Sequence, residues 1–158
     1  MPNPDNDHNP HVLAARIREL QDREHLKELK AQYARRSDAV FNAPGAASAI
    51  ALADLFTDDG VLDLGPYGKF EGRAALLNAF ENLLPQGTQW STHYVANPLI
   101  SVTGDTATGS WYYLIRTLPA GPDAVVIPLS GSYDDTYVRT PDGWKIKQTI
   151  SGFFIPPG

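Results

Sequence analysis

The chain has 158 residues, of which 42% are hydrophobic and 20% are charged. This size and composition predict a single globular domain with its own hydrophobic core. The chain contains no cysteine, which excludes disulfide scaffolds, thiol catalysis and cysteine-ligated metal centres. Thirteen basic residues against eighteen acidic ones give a formal charge of −5, so we expect no nucleic-acid partner.

We expect neither a targeting signal nor a membrane-spanning segment. No apolar run reaches the roughly 18 residues that a membrane-spanning helix requires. Residues 1–10 are polar and rich in proline and asparagine, without the basic start and apolar stretch of a signal peptide. We therefore expect no membrane partner, a cytoplasmic location, a disordered tail over residues 1–10 and one domain over residues 11–158.

The first half of the chain predicts helices. Asn9 followed by Pro10 predicts a helix start, because Asn caps helices and Pro suits the first helical position. The apolar residues that follow change phase at Asp22, which predicts a second helical piece that begins there and ends near Asp38. Two further helices are predicted at residues 46–56 and 73–84.

The second half predicts strands. A short hairpin over residues 61–64 and 67–70 is followed by long strands separated by turn dipeptides. Asn97-Pro98 predicts a β-bulge, because Pro cannot donate to the strand ladder. Helices followed by a mainly antiparallel sheet predict an α+β fold, in which a curved sheet covered by helices encloses a pocket. The four long strands are predicted at residues 89–102, 106–118, 124–139 and 144–154.

Several short sequence segments occur in a characteristic order along the chain. They are residues 29–33 leading to Asp38, 55–61 (LFTDDGV), 68–73 (GKFEGR), 92–98 (THYVANP), 102–107 (VTGDTA) and 131–146. Together they resemble the SnoaL-like family of the nuclear-transport-factor-2-like (NTF2-like) superfamily. The resemblance covers nearly all of the chain after residue 10. It implies an NTF2-like, cystatin-like α+β cone with N-terminal helices on a curved antiparallel sheet with a mixed edge.

The resemblance also implies a catalytic dyad. Family members such as scytalone dehydratase, bile-acid 7α-dehydratase and a dehydrochlorinase use a helix-borne Asp to orient a strand-borne His, often beside a Tyr. Asp38, His93 and Tyr33 match these positions, although extra residues around 41–47 lengthen the spacing. From the residues alone, His93 is the only histidine in a predicted strand, and histidine is the natural general base near neutral pH.

Structural roles remain as alternatives for all three residues. His93 is also typical of a core histidine that binds a backbone carbonyl, and Asp38 of a solvated carboxylate at a helix end. Tyr33 lies about 140° from Asp38 on a regular helix, which favours packing over chemistry.

Strand alternation predicts the pocket wall. Trp111, Tyr113 and Ile115 fall on one face of the second long strand. Ser132 and Asp134 match polar pocket residues of scytalone dehydratase, with a surface pair of Asp134 and Asp135 as the alternative. The second strand is apolar on its other face as well, so we expect that face to be covered, and the resemblance implies a homodimer through the sheet. The predicted pocket residues are Phe56, Trp111, Tyr113, Ile115, Ser132, Asp134 and Ile150.

These features lead to one functional hypothesis and two alternatives. The hypothesis is a cofactor-independent lyase or isomerase of the dehydratase type, with no metal. In it, His93 oriented by Asp38 abstracts a proton from a cyclic, largely apolar substrate such as a steroid, terpenoid or aromatic polyketide-like compound. The alternatives are a non-catalytic protein that binds an apolar ligand, and the accessory small subunit of a ring-hydroxylating dioxygenase.

Overall fold

The computed structural model describes residues 9–155. The first eight residues of the predicted disordered tail lie outside this range, and the single-domain assignment stays a prediction. The helices are α1 (Pro10–Asn42), α2 (Ala46–Ala53) and α3 (Arg73–Asn78), which continues as a π-helical segment over Ala79–Leu83. The strands are β1 (Phe56–Asp63), β2 (Lys69–Glu71), β3 (Thr88–Thr103), β4 (Thr106–Pro119), β5 (Ile127–Thr140) and β6 (Gly143–Phe153).

Helix α1 is continuous over 33 residues. It starts as predicted, with the Asn9 side chain accepting a hydrogen bond from the His11 backbone N–H at 2.9 Å. The predicted break at Asp22 is wrong. The apolar residues before Asp22, among them Leu20, are exposed to solvent, and the buried face of α1 begins at Asp22. The phase change therefore marks where the helix meets the sheet.

Asp22 fastens α1 to the β5–β6 hairpin instead of capping a helix. Its carboxylate accepts two hydrogen bonds from the Arg139 guanidinium, at 2.9 and 2.7 Å, and one from the Trp144 indole at 3.0 Å. The Arg139 hydrogen bond is the main reason why the pKa of Asp22 lies below its usual value, although burial opposes the shift. Arg139 also lies over the Trp144 ring, 4.4 Å from its centroid.

The strands form one six-stranded mixed sheet in the order β2-β1-β6-β5-β4-β3. Strand β1 runs parallel to β6 and the other neighbours are antiparallel, which confirms the α+β class with a mixed edge. The predicted bulge is confirmed, because the β3–β4 register shifts between Ala96 and Leu99 and Asn97 has a φ of 54°. Helix α2 ends three residues earlier than predicted, and Phe56 begins β1.

The two faces of the sheet differ in what covers them. The inner face packs against α1 in a core that includes Leu26, Tyr133 and Ile146. The outer face leaves apolar side chains such as Tyr94 and Tyr112 more than half exposed. The predicted homodimer through this face stays a prediction. None of the helices within residues 9–155 has the length and hydropathy needed to cross a membrane.

Candidate active site

A cavity of about 410 Å³ lies between α1, the end of α3 and the concave face of the sheet. This volume falls in the usual range for small-molecule sites. The wall is mainly aliphatic and aromatic, and within residues 9–155 it includes neither carboxylate nor Lys or Arg side chains. His93 is the single imidazole of that described wall. Hydroxyl groups come from residues that include Tyr33, Ser37, Tyr113, Tyr133 and Ser151.

The structure brings His93 and Asp38 together. The His93 Nδ1 atom lies 2.8 Å from Asp38 Oδ1, and the His93 backbone N–H donates to the same oxygen at 2.7 Å. A carboxylate only accepts hydrogen bonds, so His93 carries a proton on Nδ1 in this arrangement. In the neutral ring, Nε2 is then the nitrogen with a free lone pair, and it can accept a proton from a molecule in the cavity.

Burial separates the roles of the two residues. The His93 side chain is 8% exposed and lines the cavity, whereas the Asp38 side chain is 26% exposed and stands behind the imidazole. Phe41 stacks on the His93 ring with centroids 5.9 Å apart and an angle of 22° between the planes. Phe41 on one ring face and Asp38 at the ring edge therefore restrict the imidazole. Asp38 is not part of the cavity wall and acts on the cavity only through His93.

Tyr33 lies in the cavity wall together with two other tyrosines. Its ring packs edge-on against Tyr133 at 5.7 Å, and Tyr133 lies 4.4 Å from Tyr113. Burial is the main cause that raises the pKa of Tyr33, and the Asp135 charge adds to it. Tyr33 therefore remains a neutral phenol that can donate a hydrogen bond, although it and Asp38 lie on different faces of α1.

A buried ion pair lies behind these tyrosines. Lys30 Nζ is 2.8 Å from Asp135 Oδ2, and both side chains are fully buried. The Lys30 ammonium also lies over the rings of Tyr33 and Tyr133, 4.3 and 4.0 Å from their centroids. Asp135 Oδ2 accepts a hydrogen bond from the Tyr137 hydroxyl at 2.5 Å. Burial lowers the pKa of Lys30, and the charge of Asp135 opposes that shift.

The buried tyrosines predict a loss of stability in alkali. Burial raises the pKa values of Tyr33, Tyr133 and Tyr137 above the ordinary value. Above pH 10 the unfolded chain loses three protons that the folded chain keeps. Between pH 9 and 11 these three tyrosines should therefore lower the free energy of unfolding by about 4 kcal/mol in total. Urea unfolding at several pH values in this range measures the slope.

The matched control for the alkaline slope is Tyr133→Phe. This variant removes one of the three groups, so the slope should fall by about a third. A slope that is the same in both proteins would show that Tyr133 ionises equally in the folded and unfolded chains.

Only part of the predicted pocket wall faces the cavity. Tyr113 and Ile115 line it as predicted. Phe56 is buried in the core behind the wall, against the rings of Tyr33 and Phe80. Trp111 is also buried, and its indole N–H donates to the Tyr137 hydroxyl at 3.0 Å, away from the cavity. The correct strand face was therefore predicted for Trp111, but not its position along the cavity.

Three predicted pocket residues lie on the opposite face of the sheet. In the β4–β5 register, Tyr133 pairs with Trp111 and therefore points inward, so Ser132 and Asp134 point outward. Ile150 pairs with Asp134 and shares that outer face. The inward assignment of Ser132 and Asp134 came from the resemblance to scytalone dehydratase. The observed register instead places Asp135 on the inner face, where Lys30 neutralises it.

Sequence reasoning missed several polar residues of the site. Ser37 lies one helical turn after Tyr33, so the helical period could have placed both on one face. Tyr133 and Ser151 come from strands whose facing direction depends on the β4–β5 and β5–β6 registers, which the sequence alone does not fix. Within the described chain, no group of three or more His, Asp or Glu side chains is placed to hold a metal ion.

Comparison with known proteins defines the family. The model of the SnoaL-like domain matches residues 18–150. The chain belongs to the SnoaL-like family. Its fold is similar to the crystal structure of an NTF2-like protein with a cystatin-like fold from Novosphingobium aromaticivorans, with a TM-score of 0.79 and 24% identity over 96% of this chain and 94% of that one.

Two further solved structures from Novosphingobium aromaticivorans resemble this SnoaL-like protein. One is a proposed aromatic ring hydroxylase, with a TM-score of 0.75 and 27% identity over 87% of this chain and 92% of that chain. The other is a proposed scytalone dehydratase, with a TM-score of 0.74 and 20% identity over 87% of each chain. These likenesses establish the NTF2-like fold, and the residues of the site must supply the argument for function.

Proposed function

We propose that this protein is a lyase or isomerase of the dehydratase type, acting on a cyclic, largely apolar small molecule. The observation that carries the proposal is the His93–Asp38 pair at 2.8 Å, set in the wall of an apolar cavity. Such a pair positions one imidazole nitrogen as a general base. The likeness to a proposed scytalone dehydratase supports the same reaction class.

The reaction that fits this geometry begins with a carbon acid. Nε2 of His93 takes a proton from a ligand carbon next to a carbonyl or a leaving group. The electron pair of that C–H bond forms a carbon–carbon double bond. In elimination, the C–O bond of a hydroxyl on the adjacent carbon breaks, and the hydroxide takes the proton from Nε2 and leaves as water. In isomerisation, Nε2 returns the proton to another carbon of the ligand. The Asp38 carboxylate stabilises the positive charge that develops on the imidazole.

Tyr33 is the proposed hydrogen-bond donor of the reaction. Because burial keeps it a neutral phenol, its hydroxyl can donate to a carbonyl or leaving oxygen on which negative charge develops. The cavity contributes by excluding water and by holding an apolar ring system against the aromatic wall.

A simple carbon acid tests the proposal without knowledge of the natural substrate. Removal of the C3 proton of 5-nitrobenzisoxazole breaks its N–O bond and releases a coloured cyanophenolate, with no co-reactant. We expect the wild-type protein to catalyse this reaction and His93→Gln to lower kcat by about 10²–10⁴-fold. His25→Gln is the matched control, because His25 is exposed on α1. Equal rates for wild type and His93→Gln would overturn the assignment of His93 as base.

The alternative functions predict a different outcome of the same experiment. The likeness to a proposed aromatic ring hydroxylase is the observation that favours the dioxygenase-subunit alternative. In that case the wild-type protein would bind the probe in the cavity, as a competing apolar dye would report, while turnover would not depend on His93.

A further inference from the structure

Helix α1 continues for one turn beyond Asp38 and ends at Asn42. This turn contains the first of the extra residues by which the sequence departs from the usual family spacing. It places Phe41 on the face of the His93 ring. It also places Asn42 one helical turn after Asp38, so the two side chains project on the same side of the helix.

Asn42 exchanges two hydrogen bonds with the backbone of β3. Its Nδ2 donates to the Ser91 carbonyl at 2.8 Å, and its Oδ1 accepts from the Ser91 N–H at 2.9 Å. A neighbouring strand would satisfy Ser91 with the same donor and acceptor pattern. The amide of Asn42 therefore takes the place of a strand at this point of the sheet.

Strand β3 needs such a partner because it lies at the edge of the sheet. On one side it pairs with β4, and on its open side the N–H groups of Ser91 and His93 face α1. Asn42 binds the first N–H group and Asp38 binds the second, two residues along the strand. Two side chains of one helix thus set the position of β3 relative to α1.

We propose that Asn42 is a positioning residue that holds β3 where Asp38 meets the His93 ring. This inference rests on the proposed function only for its effect on turnover. Asp38 has to bind the backbone and the ring of His93 with the same oxygen, so a small shift of β3 changes both distances together. The second contact, at Ser91, restricts both sliding and tilting of the strand.

The test uses Asn42→Ala, with Asn82→Ala as the matched control. Asn42 and Asn82 are both exposed residues, so neither substitution removes packing from the core. In Asn42→Ala we expect amide exchange at Ser91 and His93 to accelerate by about tenfold or more. We also expect part of the His93 ring population to move its proton from Nδ1 to Nε2, as ¹⁵N NMR reports. The control should show neither effect.

Activity adds a separate readout. For 5-nitrobenzisoxazole we expect kcat to fall by about tenfold in Asn42→Ala, with KM changed less than twofold. Wild-type exchange and an unchanged ring proton in Asn42→Ala would overturn the positioning role. If the wild-type protein shows no turnover, the proposed function fails, yet exchange and ring protonation still decide the role of Asn42.

Discussion

Replacing Lys30 with methionine lowers the free energy of unfolding by about 3–5 kcal/mol, because it leaves the Asp135 carboxylate buried without a counter-charge. Asp135 is fully enclosed, and its Oδ1 atom has no hydrogen-bond partner among the residues that the structure describes. Tyr137 alone would then stabilise the negative charge. Urea unfolding at neutral pH measures the loss.

A double variant distinguishes the effect of the unpaired Asp135 charge from the effect of replacing the Lys30 side chain. In Lys30→Met with Asp135→Asn no charge is buried, and the amide oxygen can still accept the Tyr137 hydrogen bond. We expect this double variant to be about 2–3 kcal/mol more stable than Lys30→Met. Lys147→Met is the control, since its partner Asp59 is exposed. It should lower the free energy of unfolding far less than Lys30→Met does, because water screens an exposed pair. Equal losses for Lys30→Met and Lys147→Met would contradict the buried pair.

Two substitutions of Asp38 should lower turnover by different amounts. Both hydrogen bonds from His93 reach the same oxygen, Oδ1, so the amide oxygen of Asp38→Asn can still accept them. That variant loses only the negative charge, which corresponds to about a 10–100-fold lower kcat for 5-nitrobenzisoxazole. Asp38→Leu also loses the acceptor and should lower kcat by about 10²–10⁴-fold.

The ranking of the two Asp38 variants is the critical result. If Asp38→Leu retains wild-type kcat, Asp38 does not serve the reaction. If Asp38→Asn and Asp38→Leu are equally impaired, the charge alone matters and the orientation of His93 does not. Unfolding in urea provides the stability control for both variants.

The sequence alone predicted those structural features that depend on neighbouring residues within one helix or strand. The Asn9 cap, the bulge at Asn97-Pro98 and the inward direction of Tyr113 depend on neighbouring residues, and each was predicted correctly. The contact between Asp38 and His93 bridges 55 residues. Its prediction came from the family resemblance, because no periodicity within α1 or β3 relates the two residues.

The errors share a physical cause. Asp22 and Asp135 are polar residues that the fold buries, each against a cation distant in sequence. Sequence patterns predict helix caps or surface positions for such residues. A charge is buried only when it has a partner, and the sequence does not show a partner that is distant along the chain. Ser132 and Asp134 were placed inward by the resemblance to scytalone dehydratase, and with Ile150 they lie on the outer side of the sheet, opposite to the prediction.

The proposed chemistry requires that Asp38 hold His93 with its proton on Nδ1 and its lone pair on Nε2. The ¹⁵N NMR spectrum of the neutral His93 ring measures this directly and needs no substrate. We predict a protonated Nδ1 in the wild-type protein and a shift of the proton toward Nε2 in Asp38→Leu. A wild-type ring with its proton on Nε2 would rule out His93 as the base, because that nitrogen could not then accept a proton from a bound ligand.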